Sequence, residues 1–430
     1  VLGSLTEAVK AQSSVDAEWS RLKKIFASPQ LQMVSFTITE KGYALRDAKG
    51  EYFPFIRSDI DNGPDKASSA MAVVSALLYE RFNTCKAPLA VVSMDNCSHN
   101  GEKLRNSITD MVGEWQKKGF VSEDFVQYVN DENTISFPWS MIDKITPRPA
   151  DTVAESLKEA GVEDMGPVIT SKRTYIAPFV NAEGPQYLVI EDRFPNGRPQ
   201  LEKAGVYMTD RDTVNKVERM KVTTCLNPLH TALAVYGCVL GYDLIADEMK
   251  DKELSELVKR IGLVEGMPVV TNPGIIDPEK FADEVINVRI PNPFMPDTPQ
   301  RIATDTSQKV GIRYGETIKS YVAKDGSARA LTAIPLAIAG WCRYLLGIDD
   351  NGEAFELSPD PMADELKCQL DGIVWGESSS YTGQLKNLLS NANIFGINLY
   401  EAGIGDKIEE MFVEEISGKG AIRETLKKYL

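Results

Sequence analysis

The segment 221–230 (Lys-Val-Thr-Thr-Cys-Leu-Asn-Pro-Leu-His) brings together side chains that can act on a hydroxyl or carbonyl oxygen. The pair Asn227-Pro228 predicts the N-cap and first residue of a helix, because proline loses no hydrogen bond there. His230 lies three residues after Asn227, so both can face one point at the helix entrance. Lys221 arrives from the preceding segment of a predicted strand-to-helix junction. The arrangement suits acid–base chemistry on an alcohol or ketone; a capped helix with a polar first turn is the alternative.

A second polar cluster is the segment 301–309 (Arg-Ile-Ala-Thr-Asp-Thr-Ser-Gln-Lys). If it is helical, Arg301, Asp305 and Lys309 follow one another at i, i+4 and i+8 on one face. One interpretation is a solvated face with two salt bridges. The other is a cationic wall for a polyhydroxy or carboxylate substrate, since arginine can bind a carboxylate through two hydrogen bonds.

Glu218 stands three residues before Lys221. It forms either an ion pair along a helix turn or a relay that carries the lysine's proton to solvent. His99, in Ser-His-Asn-Gly, is most simply an exposed loop residue. Two distant histidines and unclustered cysteines supply no ligand set, so the sequence predicts no metal site.

Length and charge restrict the classes of protein that the chain can belong to. A chain of 430 residues is long enough for two domains, since single cores rarely grow past roughly 250–300 residues. A net charge of −15 argues against nucleic acid or an anionic membrane as the main partner. No apolar run approaches the roughly 18–20 residues of a membrane span, and no signal peptide opens the chain. Six cysteines without CxxC pairing indicate reduced thiols in a cytoplasmic protein.

Strand-like and helix-like segments alternate in the first half of the chain. This order predicts right-handed crossovers and a mostly parallel sheet. Carboxyl ends of parallel strands bind ligands in such sheets, and here they carry Thr39, Lys41, Asp95 and Asn96. Strands are predicted at 31–38, 89–94, 167–171 and 187–191, the first two of them buried, and helices at 67–82 and 101–117.

Helices with few strand signals follow from about residue 218. The sequence therefore predicts an α/β domain over 1–218 and a mostly α-helical domain over 219–430. No G-x-G-x-x-G phosphate loop occurs in the chain. Predicted helices of the second half are 228–249, 253–262, 278–288, 312–324, 329–347, 361–371, 382–391, 405–417 and 419–430.

Short motifs distributed over nearly the whole chain carry a family resemblance. In chain order they are Thr-Glu-Lys-Gly-Tyr (39–43), Ser-Met-Asp-Asn (93–96) with Asn100-Gly101, Phe-Pro-Trp-Ser-Met-Ile-Asp-Lys-Ile-Thr-Pro (137–147), Val-Ile-Glu-Asp-Arg-Phe (189–194) with Gly197-Arg198-Pro199, Lys221 with Asn227 and His230, and Arg301 with Lys309. In this order and number they resemble the polyol-specific long-chain dehydrogenase/reductase family, which includes mannitol dehydrogenases and hexuronate reductases. The resemblance implies a Rossmann-type cofactor domain, a helical substrate-binding and catalytic domain, and metal-independent NAD(P) chemistry in the cleft.

The resemblance also implies roles for individual residues. Lys221 is similar to the family's catalytic base, and Asn227 to an amide that holds the reacting oxygen. His230 belongs with these catalytic residues and, together with Arg301 and Lys309, with the substrate-binding positions.

Asp95 and Asn96 resemble cofactor-side residues, and Thr39 and Lys41 are grouped with them. NAD is the expected cofactor. NADP stays open, because the family's glycine-rich loop, ribose-contacting acid and first βαβ unit are expected to precede Val1.

Three features depart from the family pattern. Five residues, where the family usually has four, separate Lys221 from Asn227, and non-helical chain before the Asn-Pro cap can absorb the extra residue. Trp139 stands where relatives often carry a small polar residue such as asparagine. Lys144 replaces the common arginine before Ile-Thr-Pro, which keeps the charge but loses the guanidinium fork.

The implied reaction is reversible hydride transfer between a sugar carbinol carbon and the nicotinamide, with Lys221 taking or giving the hydroxyl proton. An exposed lysine has a pKa near roughly 10.4, which burial or a nearby cation such as Arg301 or Lys309 must lower. The run 297–309 most resembles the hexuronate branch, so reduction of D-fructuronate to D-mannonate is the expected activity. Oxidation of mannitol at C2 is the alternative, and a non-catalytic sugar-acid-binding module the second. No obligate protein partner is predicted.

Overall fold

A computed structural model describes residues 3–47, 49–144, 146, 149–171, 173–295 and 297–430. The chain forms two compact units, Val1–Lys144 with Gln186–Asn215 and Ile145–Pro185 with Lys216–Leu430. The residues 145–185, which the sequence placed in the first domain, cluster with the second unit. The division between residues 218 and 219 stays a prediction. Ile145 and Pro147 of the motif 137–147 lie outside the described residues.

Helices and strands follow in chain order. They are α1 Asp16–Phe26, β1 Met33–Phe36, α2 Pro54–Asn62, α3 Ala70–Thr84, β2 Leu89–Ser93, α4 Asn100–Lys117, α5 Glu123–Asn130, β3 Ile135–Ser136, β4 Ser140–Asp143, α6 Asp151–Glu159, β5 Val168–Ile169, β6 Tyr175–Ile176, β7 Tyr187–Glu191, β8 Tyr207–Thr209, α7 Arg211–Met220, α8 Asn227–Leu240, α9 Ile245–Glu248, α10 Lys252–Lys259, α11 Pro278–Glu284, α12 Pro299–Ala303, α13 Glu316–Asp325, α14 Ala333–Tyr344, α15 Ala363–Gln369, α16 Lys386–Leu389, α17 Ala392–Phe395, α18 Gly405–Glu415 and α19 Ala421–Tyr429.

The first unit is organised around a parallel sheet in which β2 lies between β1 and β3. Every residue of β2 is buried, as its unbroken apolar sequence predicts. The expectation that β1 is equally buried is wrong: its residues are half-buried and Ser35 is exposed, whereas the other edge strand, β3, is buried. The sheet β4-β7-β8 is mixed, since β7 runs antiparallel to β4 and parallel to β8. The predicted Rossmann-type α/β domain is confirmed.

Arg81 holds the beginnings of β1 and β2 in place although it is completely buried. Its guanidinium donates only to backbone carbonyl oxygens, so no carboxylate is needed to satisfy it. The acceptors are the carbonyl oxygens of Phe26, Ser28, Leu31, Ala87 and Pro88, at 2.7–3.2 Å. This one side chain ties the chain that enters β1 to the chain that enters β2.

The second unit has the predicted helical body, built around α8, α14 and α18. A Cβ on Gly340 of α14 would lie 2.5 Å from the Tyr236 ring of α8, so the missing side chain lets the two helices pack closely. The predicted helix 228–249 divides, because Gly241 adopts a left-handed conformation (φ 78°) that ends α8. Gly241 is therefore a helix terminator. The hairpin of β5 and β6 is exposed on both strands.

Candidate active site

Lys221 follows a helix and not the predicted strand. α7 runs without a break into a π-helical turn, Lys221–Cys225, which the Leu226 N–H closes by donating to the Lys221 carbonyl at 3.1 Å. The run Val-Thr-Thr suggested a strand because β-branched residues favour one. Thr223 instead donates its hydroxyl to the Arg219 carbonyl at 2.8 Å, a bond that only helical backbone allows.

The π turn also accommodates the longer spacing between Lys221 and Asn227. A π turn inserts one residue into an α-helix, and such turns are frequent at functional sites. Leu226, between the π turn and Asn227, is not helical (φ −133°, ψ −62°), so the expectation that non-helical chain before Asn227 absorbs the extra residue stays a prediction. Lys221 is only 2% exposed. Glu218 lies half-buried on α7, one turn before Lys221.

Asn227 is the first residue of α8 and not its N-cap. Leu226 occupies the cap position with φ −133° and ψ −62°, and no side chain caps the helix. Because Asn227 is already the first helical residue, the capping bond expected of its side chain is not formed. Asn227 and His230 still lie one turn apart on the same face of α8. The structure therefore brings these two predicted residues together at the beginning of one helix.

His230 lines a small cavity of about 10 Å³, the space of one water molecule. Burial lowers the pKa of His230 to about 4, opposed by Asp297 and reinforced by the positive charges of Arg313, Arg289 and Arg301. At neutral pH the imidazole is therefore uncharged and can donate one hydrogen bond and accept another. Its neighbours around the cavity are Leu226, Ile245, Arg289, Ile290, Met295 and Asp297.

Arg301 and Lys309 do not share a helix face, contrary to the expectation for residues 301–309. α12 ends at Ala303, Asp305 adopts a left-handed conformation (φ 55°), and a short 3₁₀ turn follows. The chain leaves the helix to pair with a neighbouring loop: the Asp305 N–H donates to the Pro359 carbonyl at 2.9 Å.

Each of the two cations has its own partner. Arg301 is 62% exposed and pairs with Asp297, one of the residues around the His230 cavity. Lys309 is half-buried and donates to the Thr304 carbonyl. Burial lowers the pKa of Lys309, and the charge of Arg313 adds to this.

Sequence reasoning missed Arg289, Asp297 and Arg313. Arg289 forms a two-bond ion pair with Glu183, at 2.7 and 2.9 Å, with both side chains at most 2% exposed. Asp297 lies one helical turn before Arg301, and Arg313 four residues after Lys309; these i, i+4 spacings were the available signal. Nothing local marks Arg289, because its partner is 106 residues away in the sequence.

In the first unit, Asp95 joins the ends of β1 and β2. Its carboxylate accepts the N–H groups of Ile38 and Thr39, each at 2.9 Å, and the Tyr43 hydroxyl. Thr39 adopts a positive φ of 63°, a conformation that costs about 1–3 kcal/mol and that this bond helps to hold. Thr39 and Asp95 are thus brought together, while Lys41 and Asn96 lie exposed beside them.

Trp139, which stands where relatives often carry a small polar residue, is surrounded by aromatic and cationic side chains. Its ring stacks on His99 at 4.5 Å, and the Arg211 guanidinium lies 5.5 Å from its centroid. His99 is exposed in the turn before α4, as predicted, and its Nδ1 lies 3.4 Å from a Glu102 carboxylate oxygen. Gly101 makes room for the indole, since a Cβ there would lie 2.6 Å from the Trp139 ring.

The described residues include no group of three or more His, Cys, Asp or Glu side chains that could hold a metal ion. Within the same part of the chain, no helix is both long and apolar enough to cross a membrane.

Two family models match the chain in succession. The mannitol dehydrogenase Rossmann domain matches residues 4–203, and the mannitol dehydrogenase C-terminal domain matches residues 213–415. D-mannonate oxidoreductase of Thermotoga maritima is 54% identical over 431 aligned residues, which cover 100% of this chain and 79% of that protein.

Solved structures agree with these matches. Mannitol 2-dehydrogenase of Pseudomonas fluorescens, in a ternary complex with NAD and D-mannitol, is 25% identical with a TM-score of 0.66 and covers 99% of this chain and 79% of its own. A substrate-free D-sorbitol dehydrogenase is 26% identical with a TM-score of 0.74, and the match covers 95% of this chain and 78% of that one.

Proposed function

The chain belongs to the mannitol dehydrogenase family of oxidoreductases, and we propose that it reduces D-fructuronate to D-mannonate with NADH and catalyses the reverse oxidation with NAD. The observation that carries the chemistry is the burial of Lys221 directly before the helix that bears Asn227 and His230. The 54% identity to D-mannonate oxidoreductase of Thermotoga maritima supports the substrate.

Lys221 is the proposed acid–base residue. Burial disfavours a charged amine, so a buried lysine can be neutral and accept a hydroxyl proton during oxidation. During reduction the same amine, protonated, gives that proton to the carbonyl oxygen. Glu218, one turn earlier and half-buried, is the proposed route by which the proton reaches solvent.

Asn227 and His230 are proposed to hold the reacting oxygen. An amide donor aimed at an oxygen that gains negative charge is worth roughly 3 kcal/mol in comparable oxyanion sites. His230, uncharged at neutral pH because of its lowered pKa, can donate a second hydrogen bond without placing a positive charge beside Lys221.

The polar groups at the carboxyl ends of β1 and β2 fit a dinucleotide. The Lys41 amine and the Asn96 amide are exposed there, and Asp95 fixes the Thr39 backbone beside them. When bound, NAD supplies the hydride acceptor and NADH the donor. We propose Thr39, Lys41, Asp95 and Asn96 as the residues that hold and position it.

The charge around His230 favours an anionic substrate. Arg289, Arg301 and Arg313 all act on the His230 pKa, opposed by Asp297. Together with Lys309, these arginines give the second unit several cations near Asn227 and His230, the proposed oxyanion residues. Arg301 and Lys309 are the proposed substrate contacts, and cations at these positions suit a carboxylate better than a neutral polyol.

Mannitol 2-dehydrogenase activity is the second candidate. It is favoured by the likeness to the Pseudomonas fluorescens enzyme, whose structure contains NAD and D-mannitol. That likeness extends over 99% of this chain, although the identity of 25% is far below that of the D-mannonate oxidoreductase.

The test is to measure kcat/KM for D-fructuronate and D-fructose, each with NADH and with NADPH. We expect the highest value for D-fructuronate with NADH. Faster reduction of D-fructose would establish the second candidate. Absence of turnover together with absence of NADH binding would indicate a non-catalytic sugar-acid-binding module.

A further inference from the structure

Arg313 lies in the second unit beside the proposed active-site helix. It belongs to the π-helical turn Gly311–Gly315, and its guanidinium donates to the hydroxyl of Thr231, the residue after His230. Thr231 uses its own hydroxyl hydrogen on the Asn227 carbonyl, at 3.0 Å, so it can only accept from Arg313. Arg313 therefore contacts the same turn of α8 that carries the proposed oxyanion residues.

The π turn that carries Arg313 is rigidly placed. The Tyr314 hydroxyl donates to the Pro228 carbonyl at 2.9 Å, which fixes the turn against the first turn of α8. On the other side, a Cβ at Gly315 would lie 1.8 Å from the Phe395 carbonyl oxygen, and one at Gly311 would lie 2.5 Å from that of Ile394. Only glycine permits this approach, so the backbone below Arg313 cannot shift freely.

Arg313 differs from the other arginines near His230 in having no acidic partner. Glu183 pairs with Arg289, and Asp297 pairs with Arg301. Among the residues that the structure describes, no carboxylate forms an ion pair with Arg313, whose hydrogen-bond acceptor there is the uncharged Thr231 hydroxyl. Burial lowers the pKa of Arg313 to about 10, still high enough to keep it charged at neutral pH.

A buried positive charge without a counterion is costly, and a guanidinium retains donors for a carboxylate's two oxygens. We propose that Arg313 binds the carboxylate of the substrate and thereby sets the preference for sugar acids over neutral ketoses. The inference rests on the proposed function. It goes beyond the proposed substrate contacts of Arg301 and Lys309, because it assigns the binding of the substrate carboxylate to a different residue.

The experiment compares D-fructuronate and D-fructose as substrates of the full chain and its variants with NADH. For Arg313→Gln we expect kcat/KM for D-fructuronate to fall roughly 10- to 100-fold, mainly through KM, because a hydrogen bond to a charged group is lost. The value for D-fructose should not change, since it carries no carboxylate. Arg313→Lys keeps the charge but loses the fork, so its loss with D-fructuronate should be intermediate.

Two further measurements separate substrate binding from folding. The melting temperature of each variant shows whether the fold survives. If Arg313→Gln does not fold, the two substrates are compared with Arg313→Lys instead. Thr231→Val removes the acceptor that orients Arg313 without removing the charge, and should raise KM for D-fructuronate selectively.

Equal losses with both ketoses, or no loss, would overturn the assignment of Arg313 while leaving the proposed function intact. Failure of the wild-type protein to reduce D-fructuronate would instead overturn the proposed function itself.

Discussion

The Glu415 carboxyl lies 2.6 Å from the Tyr236 hydroxyl, which also lies 2.8 Å from the Leu336 carbonyl oxygen. The Tyr236 hydroxyl has one hydrogen, and the Leu336 carbonyl can only accept it. When that hydrogen is donated to the carbonyl, the contact with Glu415 needs a proton on the Glu415 carboxyl group. The geometry therefore indicates a protonated carboxylic acid in the helical core. Burial raises the pKa of Glu415 to about 8, against the lowering effects of the Tyr236 hydrogen bond and the Arg343 charge, and Asp350 and Glu414 act in the same direction as burial.

Protein stability should consequently fall as pH rises. The unfolded chain loses the Glu415 proton near its usual pKa of 4.5, whereas the folded chain keeps it up to about 8. Between these values the free energy of unfolding should decrease by up to about 1.4 kcal/mol per pH unit from this residue. Denaturant unfolding from pH 5 to 9 measures the slope. Glu415→Gln should flatten it, and Glu410→Gln, an exposed change on the same helix, should not; an unchanged slope in Glu415→Gln would contradict the assignment.

Lys221→Ala should lower kcat by orders of magnitude, since it removes the proposed proton acceptor and donor. NADH binding, measured by fluorescence titration, should stay close to that of the wild-type protein. Lys324→Ala, which changes an exposed lysine of the same unit, is the matched control and should leave kcat unchanged. Undiminished turnover in Lys221→Ala would end the lysine assignment.

Gly266→Ala tests the packing that supports the Lys221 turn. A Cβ at position 266 would lie 2.7 Å from the Thr224 side chain, inside the π turn. We expect a loss of about 1–3 kcal/mol in stability from this overpacking, together with reduced kcat. Thr224→Ser in the same protein removes the contacted methyl group and should restore part of both. Gly113→Ala, where a Cβ meets nothing within 4 Å, is the control; equal effects at the two glycines would argue against the contact.

Glu183→Ala should destabilise the second unit by about 3–5 kcal/mol, because it removes one member of a buried, two-bond ion pair with Arg289. Thermal and denaturant unfolding measure this loss. The exposed pair of Lys280 and Asp277, 4.0 Å apart, provides a contrast, since Lys280→Ala should cost no more than about 1 kcal/mol. Similar losses in both variants would show that burial does not govern the first pair.

Elements with a strong local signal could be predicted from the sequence. The apolar run of β2 predicted a strand, and the helical spacing of apolar residues in α4 predicted a helix. Both predictions were correct, because the pattern of buried side chains in each element can be read directly from the order of its residues. Around Lys221 the local signal was misleading. Three β-branched residues suggested a strand, and the hydroxyl bond from Thr223 to Arg219 overrides that preference.

The arrangement of the site depended on contacts between distant residues. The structure places the Asp95 carboxylate on the Thr39 N–H, 56 residues away, and the Arg313 guanidinium on Thr231, 82 residues away. No spacing rule predicts contacts between residues this far apart in the sequence. Sequence patterns could therefore identify Asp95 but not its hydrogen bond to Thr39, and they did not identify Arg313. The roles of Lys221, Asn227 and His230 stay predictions that the variants above can test.

The π turn at Lys221–Cys225 has a consequence for chain length. A π turn holds one residue more than an α-helical turn. Deleting one residue of this turn is therefore expected to leave an ordinary α-helical turn before Leu226. A change of one residue in chain length, which proteins usually confine to loops, is thus expected to be accommodated within the proposed catalytic segment itself.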